Sequence, residues 1–148
     1  MPAVVDLPNL AATEALSRRI AAQARTGDVI ALSGGLGAGK TAFARGFIAA
    51  RAGRDEEVPS PTFTLVQTYD APGGAIWHFD LYRLARPEDA RELGIEQALR
   101  EGISLIEWPE RLGAWLPEDR LDIALAQGAT ENARRATLAP HGSWVGRV

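Results

Sequence analysis

The 148 residues, 46% hydrophobic and 24% charged, have the size and balance of one soluble globular domain with enough apolar mass for a continuous core. The absence of cysteine excludes disulfides, thiolate catalysis and cysteine metal sites, and only two histidines, His78 and His141, argue against a histidine-rich zinc site. A net charge of -3 with scattered arginines disfavours a nucleic-acid footprint, and no apolar run approaches the roughly 20 residues that span a bilayer, so a cytoplasmic protein is expected.

From Asn9 to Arg25, the residues Ala12, Leu16, Ile20 and Ala24 recur every four positions, which predicts an amphipathic helix capped by Asn9 or Thr13 and ended by Gly27. Asp28 to Leu32 reads as a short buried strand, rich in branched side chains and bounded by turn residues. It runs into the glycine-rich stretch Ser33 to Thr41. The segment Thr41 to Ala52 is helical in pattern, with Phe43, Phe47 and Ala50 spaced to face a sheet, and Gly46 within it costs about 1 kcal/mol. A polar loop follows from Arg51 to Pro61. Thr62 to Tyr69 and Ala75 to Leu81 read as two strands of an antiparallel hairpin, joined by the turn Ala71-Pro72-Gly73-Gly74. Pro87 to Arg100 predicts two short helical stretches broken near Gly94, and Ile103 to Ile106 a buried strand ending at Glu107-Trp108. Arg120 to Ala126 and Arg135 to Ala139 complete the strands, and the tail from Pro140 onward is expected to be loose. Alternating strands and helices followed mostly by strands predict a single α/β domain with a central mixed β-sheet flanked by helices.

Gly34, Gly39, Lys40 and Thr41 satisfy G-x-x-x-x-G-K-[ST], the P-loop pattern, between a predicted strand and a predicted helix. Glycines let the backbone turn tightly so that its N-H groups and the positive end of the next helix cradle phosphate oxygens. Gly35, Leu36, Gly37, Ala38, Gly39, Lys40, Thr41 and Ala42 are therefore the expected nucleotide contacts, with Lys40 against the β and γ phosphates and the Thr41 hydroxyl on magnesium. Of 16 basic residues only Lys40 is lysine, so the one compact ammonium stands where a planar guanidinium would not serve. Magnesium usually takes one or two carboxylates besides phosphate, and Asp80 and Glu107 each close an apolar run; spacing alone does not rank them. The segment Ser60-Pro61-Thr62-Phe63-Thr64 lies where such enzymes carry a loop that senses the γ-phosphate, although local evidence favours a Pro-initiated strand with threonines on its polar face. His78 reads as a packed strand residue, Arg83 as one side of a surface ion pair, and Trp108 as core or an aromatic cover for the site.

Four stretches, Ser33 to Thr41 (SGGLGAGKT), Ser60 to Val66 (SPTFTLV), His78 to Leu84 (HFDLYRL) and Ile106 to Arg111 (IEWPER), together resemble the bacterial TsaE (YjeE) family. Those are small ATPases needed to make threonylcarbamoyladenosine in tRNA. The resemblance implies a P-loop fold, weak ATPase activity alone, and work within a complex. The implied partners are the threonylcarbamoyl-transferase subunit (TsaD type) and its dimerising paralogue (TsaB type), with tRNA reached only through that complex. It further implies that Lys40 is the phosphate lysine, Thr41 and Glu107 the magnesium ligands, and Asp80 the carboxylate serving catalysis. Ser60 to Thr64 is similar to the family's switch-like loop, Trp108 to its tryptophan near the nucleotide, and Thr13 to an N-terminal threonine there. Arg134 and the N-terminal helix are possible neighbours of the adenine. Gly35 stands where the family commonly has Asp, a departure that touches one side-chain contact and not the backbone cradle.

Other readings share the loop. A small-molecule kinase would pass the γ-phosphate to an acceptor, but it calls for a helical lid with clustered arginines, and neither lid nor cluster is present in the sequence. A GTPase-like switch needs N-K-x-D, and neither Asn9 nor Asn132 is followed by lysine. A nucleotide-sensing adaptor would bind ATP yet tolerate loss of Asp80.

Overall fold

The computed structural model describes residues 2–53, 58 and 64–148. Among these residues seven strands form one sheet in the order β1-β7-β6-β2-β5-β4-β3. The strands are β1 (Ala3–Leu7), β2 (Val29–Ser33), β3 (Val66–Tyr69), β4 (Ile76–Asp80), β5 (Ile103–Glu107), β6 (Leu121–Gln127) and β7 (Arg134–Pro140). Helices α1 (Leu10–Gln23), α2 (Lys40–Ala52) and α3 (Ile95–Glu101) and three 3-10 segments, Pro87–Leu93, Pro109–Trp115 and Gly142–Trp144, complete the described elements. Strands β4, β5, β2 and β6 are mutually parallel neighbours, whereas β3 pairs antiparallel with β4, β7 with β6 and β1 with β7. The mixed α/β sheet and the hairpin β3–β4 accord with the sequence reading.

Period-two alternation sends the buried strand residues to two cores. Ile30, Leu32, Ile103 and Leu105 meet Leu16, Ile20, Phe43, Phe47 and Ile48 of α1 and α2 on one face. Val29, Phe79 and Ile106 meet Ile95, Ala98 and Leu112 on the other. Asn9, not Thr13, caps α1, accepting the Ala12 N-H at 3.0 Å, and Thr13 is buried. Ala50 is exposed although its spacing matches Phe43 and Phe47; it borders a surface cleft with Arg18, Ala22, Arg51 and Pro72. Strand β3 starts only at Val66, since Leu65 at φ 67° adopts a left-handed turn that ends any extended run; residues 62 and 63 of the expected strand lie outside the described residues.

Gly46 has a purpose beyond its propensity cost. A Cβ there would lie 2.1 Å from Ser17 Oγ and 3.2 Å from Ser17 Cβ, so glycine permits the close crossing of α1 and α2. Gly46→Ala is expected to destabilise by about 1–3 kcal/mol despite alanine's better helix propensity, because overpacking outweighs it. Denaturant unfolding of the variant checks this, and a variant as stable as the parent would mean that the crossing has slack.

Two parts of the chain depart from the sequence reading. Strand β1 carries no periodic signal, since only Leu7 of its five residues is buried, and it exists through its pairing with β7. The expected loose tail is instead packed. Trp144 is fully buried in the core with Leu7 and Leu16, and the Arg147 guanidinium lies 3.9 Å from the Trp144 ring centre. Arg147 grips Asp28, just before β2, through two parallel bonds of 2.8 Å, which raise its pKa further above the usual arginine value. Arg147→Lys is expected to cost about 1–2 kcal/mol, roughly one charge-assisted hydrogen bond, because an ammonium cannot span both oxygens. Thermal unfolding measures it.

Candidate active site

The loop between β2 and α2 obeys local backbone demands. Gly34 sits at φ 138°, where a Cβ would come within 2.3 Å of the Leu125 carbonyl, and Gly39 at φ 104° forms the start of α2. The Gly35 backbone makes no such demand, and a Cβ there would meet nothing within 4 Å. A side chain at this position would be free to stand, so glycine here removes a side chain without reshaping the loop. The Ala38 N-H donates to the Gly35 carbonyl at 3.2 Å and closes the turn. Helix α2 then begins at Lys40, and a helix start leaves its first N-H groups without intrahelical acceptors, on the side where anions are favoured.

Register brings the acidic candidates to this loop. Leu32 pairs with Glu107 and Glu107 with Asp80, so β2, β5 and β4 end side by side at the carboxyl edge of the parallel sheet, where crevices of open α/β sheets form. Leu36, Gly37, Ala38, Gly39, Lys40, Thr41 and Ala42 line a cavity of about 260 Å³ together with Asp80, Glu107 and Trp108. Thr41 donates its hydroxyl towards both Glu107 oxygens at 3.2 Å, and His78 Nε2 lies 2.6 Å from Glu107 Oε2. Asp80 Oδ1 accepts the Tyr82 N-H at 3.1 Å. Lys40, Asp80, Glu107 and His78 are all buried.

The Lys40 ammonium donates to the carbonyls of Gly34 and Gly35 at 2.7 Å each and lies 4.4 Å from the Trp108 ring centre. Burial pushes its pKa below the ordinary lysine value, against the opposing pull of Glu107, Asp80 and Glu110. Gly35 thus contributes its carbonyl to Lys40 and is not among the residues lining the cavity. Trp108 adopts a left-handed backbone at φ 60° that a bulky residue rarely takes, and its ring packs 4.9 Å from that of Tyr82. It is half-buried and forms one wall of the cavity.

A second cavity of about 420 Å³ adjoins the first across Gly39 and Ala42, and Thr13 and Arg134 both line it, with Asn9, Leu10 and Asn132. Arg134 also donates to the Gly37 carbonyl at 3.1 Å while its other amino group binds the Glu131 and Ala133 carbonyls, which ties the loop tip to the β6–β7 turn. Thr64 is exposed, and the rest of the Ser60–Thr64 expectation lies outside the described residues. Arg83 is exposed too. Sequence reasoning overlooked Asn9 and Asn132 as cavity walls, since they are distant in the chain and meet only through tertiary packing. His78 is the packed strand residue that the sequence suggested, and its contact with Glu107 arises from strand pairing that the sequence does not show. Among the described residues no helix is long and apolar enough to cross a membrane.

Comparison with known proteins agrees in sequence and in shape. Residues 7–136 match the family model described as threonylcarbamoyl adenosine biosynthesis protein TsaE. The chain is 38% identical over 137 residues to a tRNA threonylcarbamoyladenosine biosynthesis protein TsaE of Rickettsia felis, covering 93% of this chain and 80% of that protein. It is 36% identical over 132 residues to the protein of that name from Bacillus subtilis, covering 88% and 81%. The crystal structure of Bacillus subtilis YdiB superposes with a TM-score of 0.78 at 30% identity, covering 96% of this chain and 87% of that one. The loop, the sheet that carries it and these matches agree: the chain belongs to the TsaE family of threonylcarbamoyl adenosine biosynthesis proteins.

Proposed function

We propose that this protein is an accessory ATPase of tRNA threonylcarbamoyladenosine synthesis, binding Mg-ATP and hydrolysing it in complex with a TsaD-type transferase subunit and its TsaB-type paralogue. The observation that carries the nucleotide reading is the convergence of Lys40, Thr41, Asp80 and Glu107 on the cavity beside the loop Gly34 to Thr41. The residues fit magnesium. Thr41 and Glu107 present hard oxygens 3.2 Å apart, the kind of ligand magnesium takes beside phosphate and water. Magnesium, when bound, supplies charge neutralisation at the phosphates.

The chain's own groups have separable tasks. The start of α2 and the Lys40 ammonium bind phosphate charge, and the second cavity, between Thr13 and Arg134, suits the base and sugar. Asp80, held through the Tyr82 N-H, orients water and accepts its proton at the carboxylate, and Trp108 shields the wall of the site from solvent. The chain's net charge of -3 suits a protein-binding subunit better than one that grips tRNA unaided.

The test is phosphate release from ATP by the chain alone and then with the transferase heterodimer and tRNA. Strong stimulation by the complex is the expected result. Turnover indifferent to the complex, or transfer of the γ-phosphate to a small acceptor, would overturn the accessory role and favour a kinase.

A further inference from the structure

The imidazole of His78 has no task in the chemistry described so far. It lies at the middle of β4, 0% exposed, on the sheet face that carries Asp80 and Glu107. Its register partner is Leu105, two residues before Glu107 on β5, so the ring reaches diagonally to Glu107 Oε2 at 2.6 Å. With Glu107 as the accepting carboxylate, Nε2 carries the donated hydrogen. The other nitrogen, Nδ1, is buried without a hydrogen-bond partner among the described residues. A branched apolar side chain would fill this strand position at less cost, since a buried polar atom without a partner is unfavourable. Among the described residues the ring's hydrogen-bond partner is thus Glu107, and Thr41 faces that same carboxylate at 3.2 Å.

We propose that His78 is a positioning residue that fixes the Glu107 carboxylate for the cation shared with Thr41. The proposal rests on the reading of Glu107 as a magnesium ligand. Magnesium demands near-ideal octahedral geometry, so a carboxylate free to rotate holds it less well than one whose plane is set by a hydrogen bond from behind. The hydrogen bond constrains Oε2 and leaves lone pairs on both oxygens for the ion. Loss of such an orienting partner typically lowers metal affinity by about 10–100-fold.

Three variants separate orientation from packing. The amide nitrogen of His78→Gln reaches the position of Nε2, that of His78→Asn stops near Nδ1, and His78→Leu has no donor. Calorimetric affinity for the slowly hydrolysed analogue adenylyl imidodiphosphate is measured with magnesium and with excess EDTA, beside thermal unfolding of each variant. The parent is expected to bind more tightly with magnesium. His78→Asn and His78→Leu are expected to lose that gain by about 10–100-fold while keeping affinity in EDTA, and His78→Gln to recover most of it. A gain that survives in His78→Asn, or losses of equal size in EDTA and magnesium, would overturn the positioning role. Absence of any gain in the parent, or its persistence in Glu107→Gln, would instead overturn the cation reading and this proposal with it.

Discussion

Lys40→Ala is expected to weaken ATP binding by at least about a hundredfold while leaving the fold intact. Its Nζ already makes two hydrogen bonds of 2.7 Å to the loop that would hold phosphate, and it is the chain's one lysine. Turned to phosphate, the same ammonium would make hydrogen bonds worth roughly 1.5–3 kcal/mol each, and the loss of two such bonds to the nucleotide accounts for the weakening. The stability argument runs the other way. Burial lowers the Lys40 pKa, so the ammonium is disfavoured in the folded state, and that cost is present at neutral pH and is relieved as pH rises through the lowered folded value towards that of free lysine. Alanine removes a buried charge, and the variant is expected to unfold no earlier than the parent. Calorimetry of ATP binding beside thermal unfolding gives both readings, and unchanged affinity would sink the assignment of the loop.

Asp80→Asn is expected to bind Mg-ATP like the parent and to hydrolyse it about 10²–10⁴-fold more slowly in the complete complex, the usual contribution of a positioned base. Asparagine keeps the Oδ1 acceptor for the Tyr82 N-H, so the turn after β4 survives and only the basic oxygen is lost. Glu107→Gln has the contrary signature, with the magnesium dependence of binding lost first. Single-turnover phosphate release and equilibrium binding distinguish the two carboxylates. Equal turnover in Asp80→Asn and parent would remove Asp80 from the chemistry.

Much of what was encoded in neighbouring residues was legible. Gly34 and Gly39 occupy backbone conformations that favour glycine, Gly94 breaks the helical stretch at φ 87°, and the turn 71–74 closes the hairpin. The order of Asp80 and Glu107 was not legible, because both end parallel strands and pair directly with one another; the contacts of Thr41 and His78 with Glu107 favour it as the cation ligand. Strand β1 escaped notice because a mostly exposed edge strand has no hydrophobic period. The packing of Trp144 and Arg147 escaped it because the partner Asp28 is 119 positions away in the chain. The second cavity is similarly non-local, built from both ends of the sequence.

Seclusion of the single lysine makes the loop its own reporter. A protease that cuts only after lysine has one target bond in the whole chain, Lys40–Thr41, at the first turn of a packed helix, and an amine-acylating reagent has one ε-amino group, buried beside Trp108. Cleavage or labelling at Lys40 therefore counts excursions in which this one loop opens, without any engineered probe.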